Sequence, residues 1–232
     1  MNVRFSASRS VVLWALLGLL AASPVLASQK YPEMTTDGLK LVPTKGLDAM
    51  YWQDGARMGQ YTKVMIKGCD VSFRKNWQRD QNINRSGASN QVTAEDMDRI
   101  RTGICKEFHR IFTKELQDKG GYQAVSKPGE DVIELRPSIV NLDITAPDIS
   151  MHQPGIVRTY TTTAGEMTLK LDLYDSATDS VIGRAIDRTH AMRDGNLQYT
   201  NQITNRVETD RILSQWATIL RKAMDAAKSA NP

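Results

Sequence analysis

Strict alternation of apolar and polar side chains marks the clearest strand of the chain, over residues 166–174. Such alternation is typical of a strand with one buried face and one hydrated face. The apolar members are Met167, Leu169, Leu171 and Leu173. A short polar turn over residues 175–180 separates this strand from a second apolar run over 181–191, which predicts an antiparallel hairpin.

Two other runs predict strands that each contain a change of phase. Residues 61–73 change the parity of their apolar positions at Gly68, and a glycine at such a point suggests a bulge. Residues 132–145 change parity around Pro137, where proline implies a sheet edge or a bulge. A further short strand is predicted over residues 122–126.

Two stretches repeat apolar residues at the spacing of an amphipathic helix. The first begins at Thr93, which forms a capping-box pattern with Asp96, and ends at a pair of glycines. Its apolar face comprises Met97, Ile100, Ile104, Phe108, Ile111 and Phe112. The second begins between Asn205 and Thr209 and carries Trp216 on its apolar stripe, so we expect Trp216 to be buried against the sheet.

Polar segments connect these elements. Residues 74–90 are predicted as an exposed loop, residues 147–164 as a long loop and residues 193–205 as a linker. The order of elements is strand, helix, strands, hairpin and helix. It predicts an α+β two-layer sandwich, with a mainly antiparallel sheet of about four or five strands and two helices packed on one face.

The N-terminus has the pattern of a secretory signal peptide. Arg4 and Arg9 precede an apolar run over residues 11–22, and small residues stand before the expected cleavage site between Ala27 and Ser28. A spanning helix needs roughly 18 or more apolar residues, so the run is too short for a membrane anchor. A lipoprotein would carry cysteine in place of Ser28. We therefore expect export to the periplasm, with neither a transmembrane helix nor a lipid anchor.

These boundaries predict one folded domain. We expect the signal peptide over residues 1–27, an irregular N-terminal arm over 28–60, a single α+β domain over 61–228 and a tail over 229–232. Glycines and prolines punctuate the arm, which argues against long regular elements. Its apolar content is nevertheless too high for a disordered segment, so the arm is expected to pack against the domain.

The charge balance argues against a nucleic-acid partner. The 232 residues carry a formal net charge of +4, and removal of the basic leader brings the chain closer to neutrality. Nucleic-acid binding requires a dense basic patch, which such a balance does not supply.

Cys69 and Cys105 form an even pair, which makes them a disulfide candidate in an oxidising compartment. They are too far apart in sequence for CxxC redox chemistry or a zinc knuckle. Cys69 shares the parity of Val71 and Phe73 on the first strand, and Cys105 lies on the flank of the helix face expected to cover that strand. The alternative is that two buried free thiols pack as small hydrophobes.

The sequence carries no catalytic or metal-binding signature. The histidines lack metal-ligand spacing, and there is no GxSxG nucleophile motif. These histidines are His109, His152 and His190. Five strand-end acids remain, which could approach one another across a sheet as the two carboxylates of a glycoside hydrolase do. These acids are Asp143, Asp148, Asp172, Asp175 and Asp187. Because solvated acids on a strand face explain them more simply, we assign no catalytic residue, cofactor or metal ligand.

Three aromatic residues flank the first predicted strand on segments that we expect to be exposed. Tyr51, Trp52 and Trp77 are therefore candidates for a partner-binding surface. The alternative is that these aromatics fix the N-terminal arm to the domain.

Several short motifs along the chain follow a pattern known from one family. They comprise Thr-Asp-Gly-Leu over residues 36–39, the strand start over 61–66, the hairpin strands over 166–175 and 181–185, and the Trp-Ala-containing helix segment over 215–221. Together they resemble the bacterial domain-of-unknown-function 3313 family over nearly the whole chain after the leader. The resemblance implies a fold and an envelope location but no catalytic residues. Many members are lipoproteins, from which this chain departs at its cleavage site.

We interpret the chain as a non-catalytic periplasmic or cell-envelope protein, a binding or assembly module for another envelope protein or polymer. Two alternatives remain, a periplasmic hydrolase that uses strand-end carboxylates and an accessory subunit of a transport or secretion assembly. A cleft with two acids and a sugar-stacking aromatic would favour the hydrolase. A shallow apolar patch without perturbed acids would favour the binding module.

Overall fold

The computed structural model of the protein describes most of the chain after residue 30. The described residues are 31–83, 85, 87, 91–144, 159–161, 165–190, 198–200 and 202–230. The predicted signal peptide over residues 1–27 lies outside them, and so does most of the loop predicted over 147–164. Export and cleavage before Ser28 therefore stay predictions.

Within the described residues, eight strands form one mixed sheet in the order β1-β2-β9-β8-β6-β3-β5, with β4 also paired to β6. Their bounds are β1 Lys40–Val42, β2 Ala49–Trp52, β3 Lys63–Ile66, β4 Asp70–Phe73, β5 Gln123–Ala124, β6 Val132–Ile144, β8 Gly165–Asp175 and β9 Ser180–His190. The strands β7 (Thr159–Thr161) and β10 (Gln198–Thr200) pair separately. The α+β class is thus confirmed, with more strands than the four or five predicted.

The described part of the chain contains three α-helices, α1 (Trp77–Asn82), α2 (Ala94–Asp118) and α3 (Gln202–Ala230). α2 lies between β4 and β6 along the chain, after α1 and before β5, and a helical crossover of this kind allows the parallel pairing of β6 with β3 and β4. The predicted capping box is present, because Thr93 and Asp96 each bond the other's backbone N–H. α3 begins before the predicted start between Asn205 and Thr209, since the polar residues of its first turns carry no apolar period.

Both long helices pack on one face of the sheet, as predicted. Trp216 of α3 is 1% exposed and shares a single core with Phe108 and Phe112 of α2. The alternating leucines of β8 face the same core, which confirms the strand pattern read from the sequence. No described helix is long and apolar enough to cross a membrane.

One of the two predicted phase changes occurs at a different residue in the structure. Gly68 separates β3 from β4 at a φ of +67°, as expected of a bulge glycine. In β6 the parity changes at Asn141, which has a φ of +54°, and not at Pro137. Odd-numbered residues of β6 direct their backbone groups toward β3 and β4, as the hydrogen bond from the Lys67 N–H to the Leu135 carbonyl shows. The N–H that Pro137 lacks would therefore point at the break between β3 and β4. For this reason, proline can occupy this position in the middle of the sheet.

The stretch predicted as an irregular arm is part of the sheet. β1 and β2 form an antiparallel hairpin, and β2 pairs with β9, so the hairpin extends the sheet at one edge. Residues Met58–Gln60 then form a 3₁₀ turn before β3. Strands this short, separated by glycines, are too brief to show a period in the sequence, and pairing with β9 specifies them.

Cys69 and Cys105 are joined in a disulfide, with their Cα atoms 5.6 Å apart. Cys69 directly precedes β4, and Cys105 lies on the α2 flank that faces it. The bond thus connects the sheet to the helix layer, as the parity of the two cysteines predicts.

Candidate functional site

The three aromatics predicted as a partner-binding surface do not share a surface. Tyr51 and Trp77 are each 1% exposed and belong to separate apolar clusters. Tyr51 donates a hydrogen bond to the Pro32 carbonyl at 3.1 Å, which joins two residues of the predicted arm to each other. Trp77 donates to the Ile144 carbonyl at 3.1 Å, and it begins the short helix α1, which occupies residues 77–82 of the segment predicted as an exposed loop over 74–90. Trp52 alone remains half-buried at the surface.

Two of the strand acids lie on opposite faces of the sheet. Asp187 faces the helices, where its carboxylate accepts the Trp216 indole N–H at 2.6 Å and the Asp48 backbone N–H at 3.1 Å. Asp172 lies opposite Arg184 on the face directed away from α2 and α3 and forms an ion pair with its guanidinium. The sheet itself therefore separates the two carboxylates, which precludes their cooperation in hydrolysis.

Two further acids hold local structure. Asp175 accepts the Tyr61 hydroxyl at 2.8 Å and the Thr178 backbone N–H at 2.9 Å at the β8–β9 turn. Burial raises the pKa of Tyr61 to about 12, and the bond to Asp175 adds to the rise. Burial also acts to raise the pKa of Asp175, but the bonds from Tyr61 and the turn outweigh it and leave the pKa below its ordinary value. Asp143 pairs with Arg74 at 2.7 Å. These contacts are structural.

Metal chemistry finds no support in the described part of the chain, where no group of three histidine, cysteine or acidic residues could hold an ion. The His109 ring nitrogen Nε2 lies 3.3 Å from the Gly68 carbonyl, beside the disulfide. His152 and Asp148 lie outside the described residues, and so does the side chain of His190.

A concave surface lies between the β1–β2 hairpin and the last turns of α3. We call it the hairpin groove, and its volume is about 730 Å³. Its apolar lining comprises Val42, Pro43, Met50, Trp52, Ala56, Met58, Ile219, Ala223, Ala226 and Ala227. Polar residues at its margin are Lys40, Thr44, Lys45, Gln53, Asp54 and Lys222.

The local sequence explains why this space is left open. Val42 lies opposite Met50 in the hairpin register and Lys40 lies opposite Trp52, so these four side chains share the helix-side face of the sheet. α3 meets that face with alanines at three positions of its last turns, where a larger side chain would close the gap. Alanine is too short to reach the sheet edge, and the groove is the space that remains.

The charged residues at the groove margin are unequally paired. Lys40 binds Asp54 at 2.6 Å, which neutralises one end of the hairpin. Lys45 and Lys222 form no ion pair with any described residue. The groove therefore combines an apolar floor with two available cationic groups.

Trp52, which forms one wall of the groove, depends on a glycine in the neighbouring strand. Gly183 lies opposite Trp52 in the β2–β9 ladder, and the indole covers the space where a side chain would stand. A Cβ at Gly183 would lie 2.6 Å from the ring atoms Cε3 and Cζ3 and 3.2 Å from the Tyr51 carbonyl oxygen. The absence of a side chain at this position thus sets the shape of the groove wall.

Gly183→Ala is expected to destabilise the protein by about 1–3 kcal/mol, because overpacking forces the indole of Trp52 away from the strand. Urea unfolding measures the loss, and the emission of Trp52 reports its displacement. The matched control is Gly103→Ala within α2, where the new methyl group meets nothing within 4 Å. That variant should gain about 0.5–1 kcal/mol from the helix preference of alanine. Equal midpoints for the two variants would contradict the packing of Trp52 on Gly183.

Sequence reasoning named one wall of the groove and missed the rest. The sequence predicts Trp52 as a candidate, but as part of one partner-binding surface shared with Tyr51 and Trp77. Ala223 and Ala227 follow helical spacing and fit the small side chains of a buried stripe, whereas Ala226 lies outside that stripe. Two observations together could have indicated a groove: a small-residue end to the last helix, and apolar residues in the arm without a predicted partner.

Comparison with known proteins identifies a family and shows distant similarity to solved structures. A search of curated proteins finds no match. Three solved structures show low similarity. The PelC dodecamer from Paraburkholderia phytofirmans is 9% identical, with 72% of this chain and 94% of that chain covered and a TM-score of 0.35. A DUF330 family protein from Xanthomonas campestris is 10% identical, with 75% and 92% covered and a TM-score of 0.37. A putative neuraminyllactose-binding hemagglutinin homologue from Helicobacter pylori is 10% identical, with 82% and 95% covered and a TM-score of 0.35.

Similarities this low carry no functional information. The sequence model described as "Protein of unknown function (DUF3313)" matches residues 30–220, which is most of the chain and agrees with the resemblance carried by the hairpin and last-helix motifs. The chain therefore belongs to the DUF3313 family.

Proposed function

We propose that this protein is a non-catalytic binding module of the cell envelope that holds another envelope component in the hairpin groove. The observation that carries the proposal is the groove itself, an apolar concavity of about 730 Å³ between the sheet edge and α3. Ligand sites of proteins are commonly apolar clefts of this size with a few polar groups at the margin.

The chemistry of the described acids supports binding over hydrolysis. The four described strand acids contact cations, hydroxyls or N–H groups that hold the fold. In the groove margin, Asp54 binds Lys40 and has no second acid beside it in the lining. A glycoside hydrolase needs two carboxylates about 5–10 Å apart around its substrate. The groove therefore offers an apolar binding surface but no pair of carboxylates that could carry out hydrolysis.

The disulfide supports an envelope location, because structural disulfides persist in oxidising compartments. We expect the exported protein to begin at Ser28 and to be released by osmotic shock. N-terminal sequencing and mass spectrometry of the shock fraction test this. A cytosolic protein that retains Met1 would contradict export and remove the envelope from the proposal.

Site-specific photocrosslinking tests the groove as the binding surface. A photoreactive amino acid replaces Gln53, which is exposed at the groove margin, and in a matched control it replaces Lys114, which is exposed on α2 outside the groove. We expect adducts with envelope material from position 53 and not from position 114. Ala226→Trp fills the groove from α3 and should abolish the adducts from position 53.

The fold of each variant is checked by its urea midpoint, so that a lost adduct reports the groove and not unfolding. The same adducts from both positions, or adducts at position 53 that survive Ala226→Trp, would contradict the proposal.

A further inference from the structure

We infer that the hairpin groove binds a single-chain anionic amphiphile, with its apolar chain along the groove and its anionic head on Lys45 and Lys222. This inference rests on the proposed function and names the ligand class of the same site. It follows from the size and apolar lining of the groove, the adaptable side chains of its floor and the position of its available charges.

The size and lining of the groove suit a small amphiphilic ligand. Sites that enclose small molecules commonly have volumes of roughly 300–1,000 Å³, and the hairpin groove offers about 730 Å³. Its walls are mostly apolar, and its polar residues lie at the margin. A ligand with one apolar chain and one polar head group matches that distribution.

The floor of the groove can adapt to such a chain. Met50 on β2 and Met58 in the 3₁₀ turn are each 1% exposed and line it opposite α3. Methionine side chains are unbranched and polarisable, and they fill irregular gaps with little penalty. The opposite wall consists of alanines and Ile219 on α3, which supply apolar surface without polar groups that a hydrocarbon chain would leave unsatisfied.

The charges give the ligand a direction. Lys40 is neutralised by Asp54 at one end of the hairpin. Lys45 follows β1 at the other end, next to Gly46, whose backbone packs on Ile219 closely enough that a Cβ would lie 2.9 Å from its Cδ1. Lys222 lies one helical turn beyond Ile219. Two ammonium groups without ion-pair partners in the described structure therefore flank the Ile219 end, where a carboxylate or phosphate head would bind.

Binding is measured with two lysophospholipids of the same acyl chain, lysophosphatidylglycerol and lysophosphatidylcholine, below their micellar concentrations. The protein is purified from the periplasmic fraction, and calorimetry gives the affinities. Bromine on the acyl chain adds a site-specific signal. Outside the leader the tryptophans are Trp52, Trp77 and Trp216, of which the latter two are 1% exposed, so quenching should fall on Trp52 and vanish in Trp52→Phe.

We expect saturable binding of the anionic lipid, about tenfold tighter than that of the zwitterionic one, as two exposed ion pairs would produce. The double variant Lys45→Gln/Lys222→Gln should remove that difference. Ala226→Trp should abolish binding of both lipids, and the control Lys114→Gln should change neither affinity. Added salt should weaken the binding of the anionic lipid more than that of the zwitterionic lipid.

Equal affinities for the two lipids, or an anionic preference that survives the double lysine variant, would overturn the inference. Absence of binding by both lipids would overturn it as well. In that case adducts from position 53 that disappear in Ala226→Trp would still support the proposed function, with an occupant of another class. The lipid-binding experiment can therefore contradict the ligand class while the crosslinking experiment still supports the proposed function.

Discussion

Trp216→Ala is expected to lower the free energy of unfolding by about 3–5 kcal/mol, as truncation of large core aromatics does. Trp216 is 1% exposed and lies where α3 meets the sheet. Its removal leaves a cavity between the two layers. It also removes the indole N–H that binds Asp187 at 2.6 Å.

The loss of this hydrogen bond adds to the destabilisation that the cavity causes. Asp187 is 8% exposed, and its second oxygen accepts the Asp48 backbone N–H at 3.1 Å. Without the indole, a buried carboxylate oxygen loses a donor, which costs about 1–3 kcal/mol or more for a charged group. Trp216→Phe keeps most of the apolar ring and loses only the N–H, so it should fall between the wild type and Trp216→Ala.

Urea unfolding followed by far-ultraviolet circular dichroism measures these changes without reliance on tryptophan emission. The control is Val207→Ala on the same helix, since Val207 is 62% exposed and should change stability by less than about 0.5 kcal/mol. A loss below about 1 kcal/mol for Trp216→Ala would show that α3 does not dock through this residue.

Loss of the disulfide is the second large effect. Cys69 and Cys105 close a loop with a sequence separation of 36. The chain-entropy estimate for such a loop is about 3–4 kcal/mol, which the unfolded state regains when the bond is removed. We expect the double variant Cys69→Ala/Cys105→Ala to unfold at a correspondingly lower urea concentration than the oxidised wild type.

Reduction supplies the internal control for this prediction. Dithiothreitol should lower the midpoint of the wild type and leave that of the double alanine variant unchanged, because only the wild type has a bond to reduce. Titration of the denatured, unreduced protein should find no reactive thiol. Two reactive thiols per chain would show that the cysteines pack as free side chains.

The local pattern of the sequence determined those parts of the fold that depend on residues close together in the chain. The α2 capping box needs only Thr93 and the residue three positions later, and the structure forms it. The β8–β9 hairpin follows from alternation and a short turn. The parity of Cys69 on its strand and the position of Cys105 on the covering helix made the two cysteines a disulfide candidate, and the structure joins them.

Short elements were decided by pairing between distant segments. β1 and β2 contain three and four residues, too few to reveal a period, and they exist because β2 pairs with β9 far along the chain. Similarly, α1 interrupts a polar stretch because Trp77 finds a carbonyl partner at Ile144. Pro137 looked like a bulge, yet it stays in register because its missing N–H falls at a break in the neighbouring strands.

The candidate site belongs wholly to the tertiary structure. The sequence determined the type of each side chain in the groove, including the alanines of α3 and the apolar residues of the arm. It did not determine that these two segments, at opposite ends of the chain, would face each other across an unfilled gap. A groove is space that packing leaves empty, and no residue carries that property alone, because it depends on how far α3 lies from the edge of the sheet.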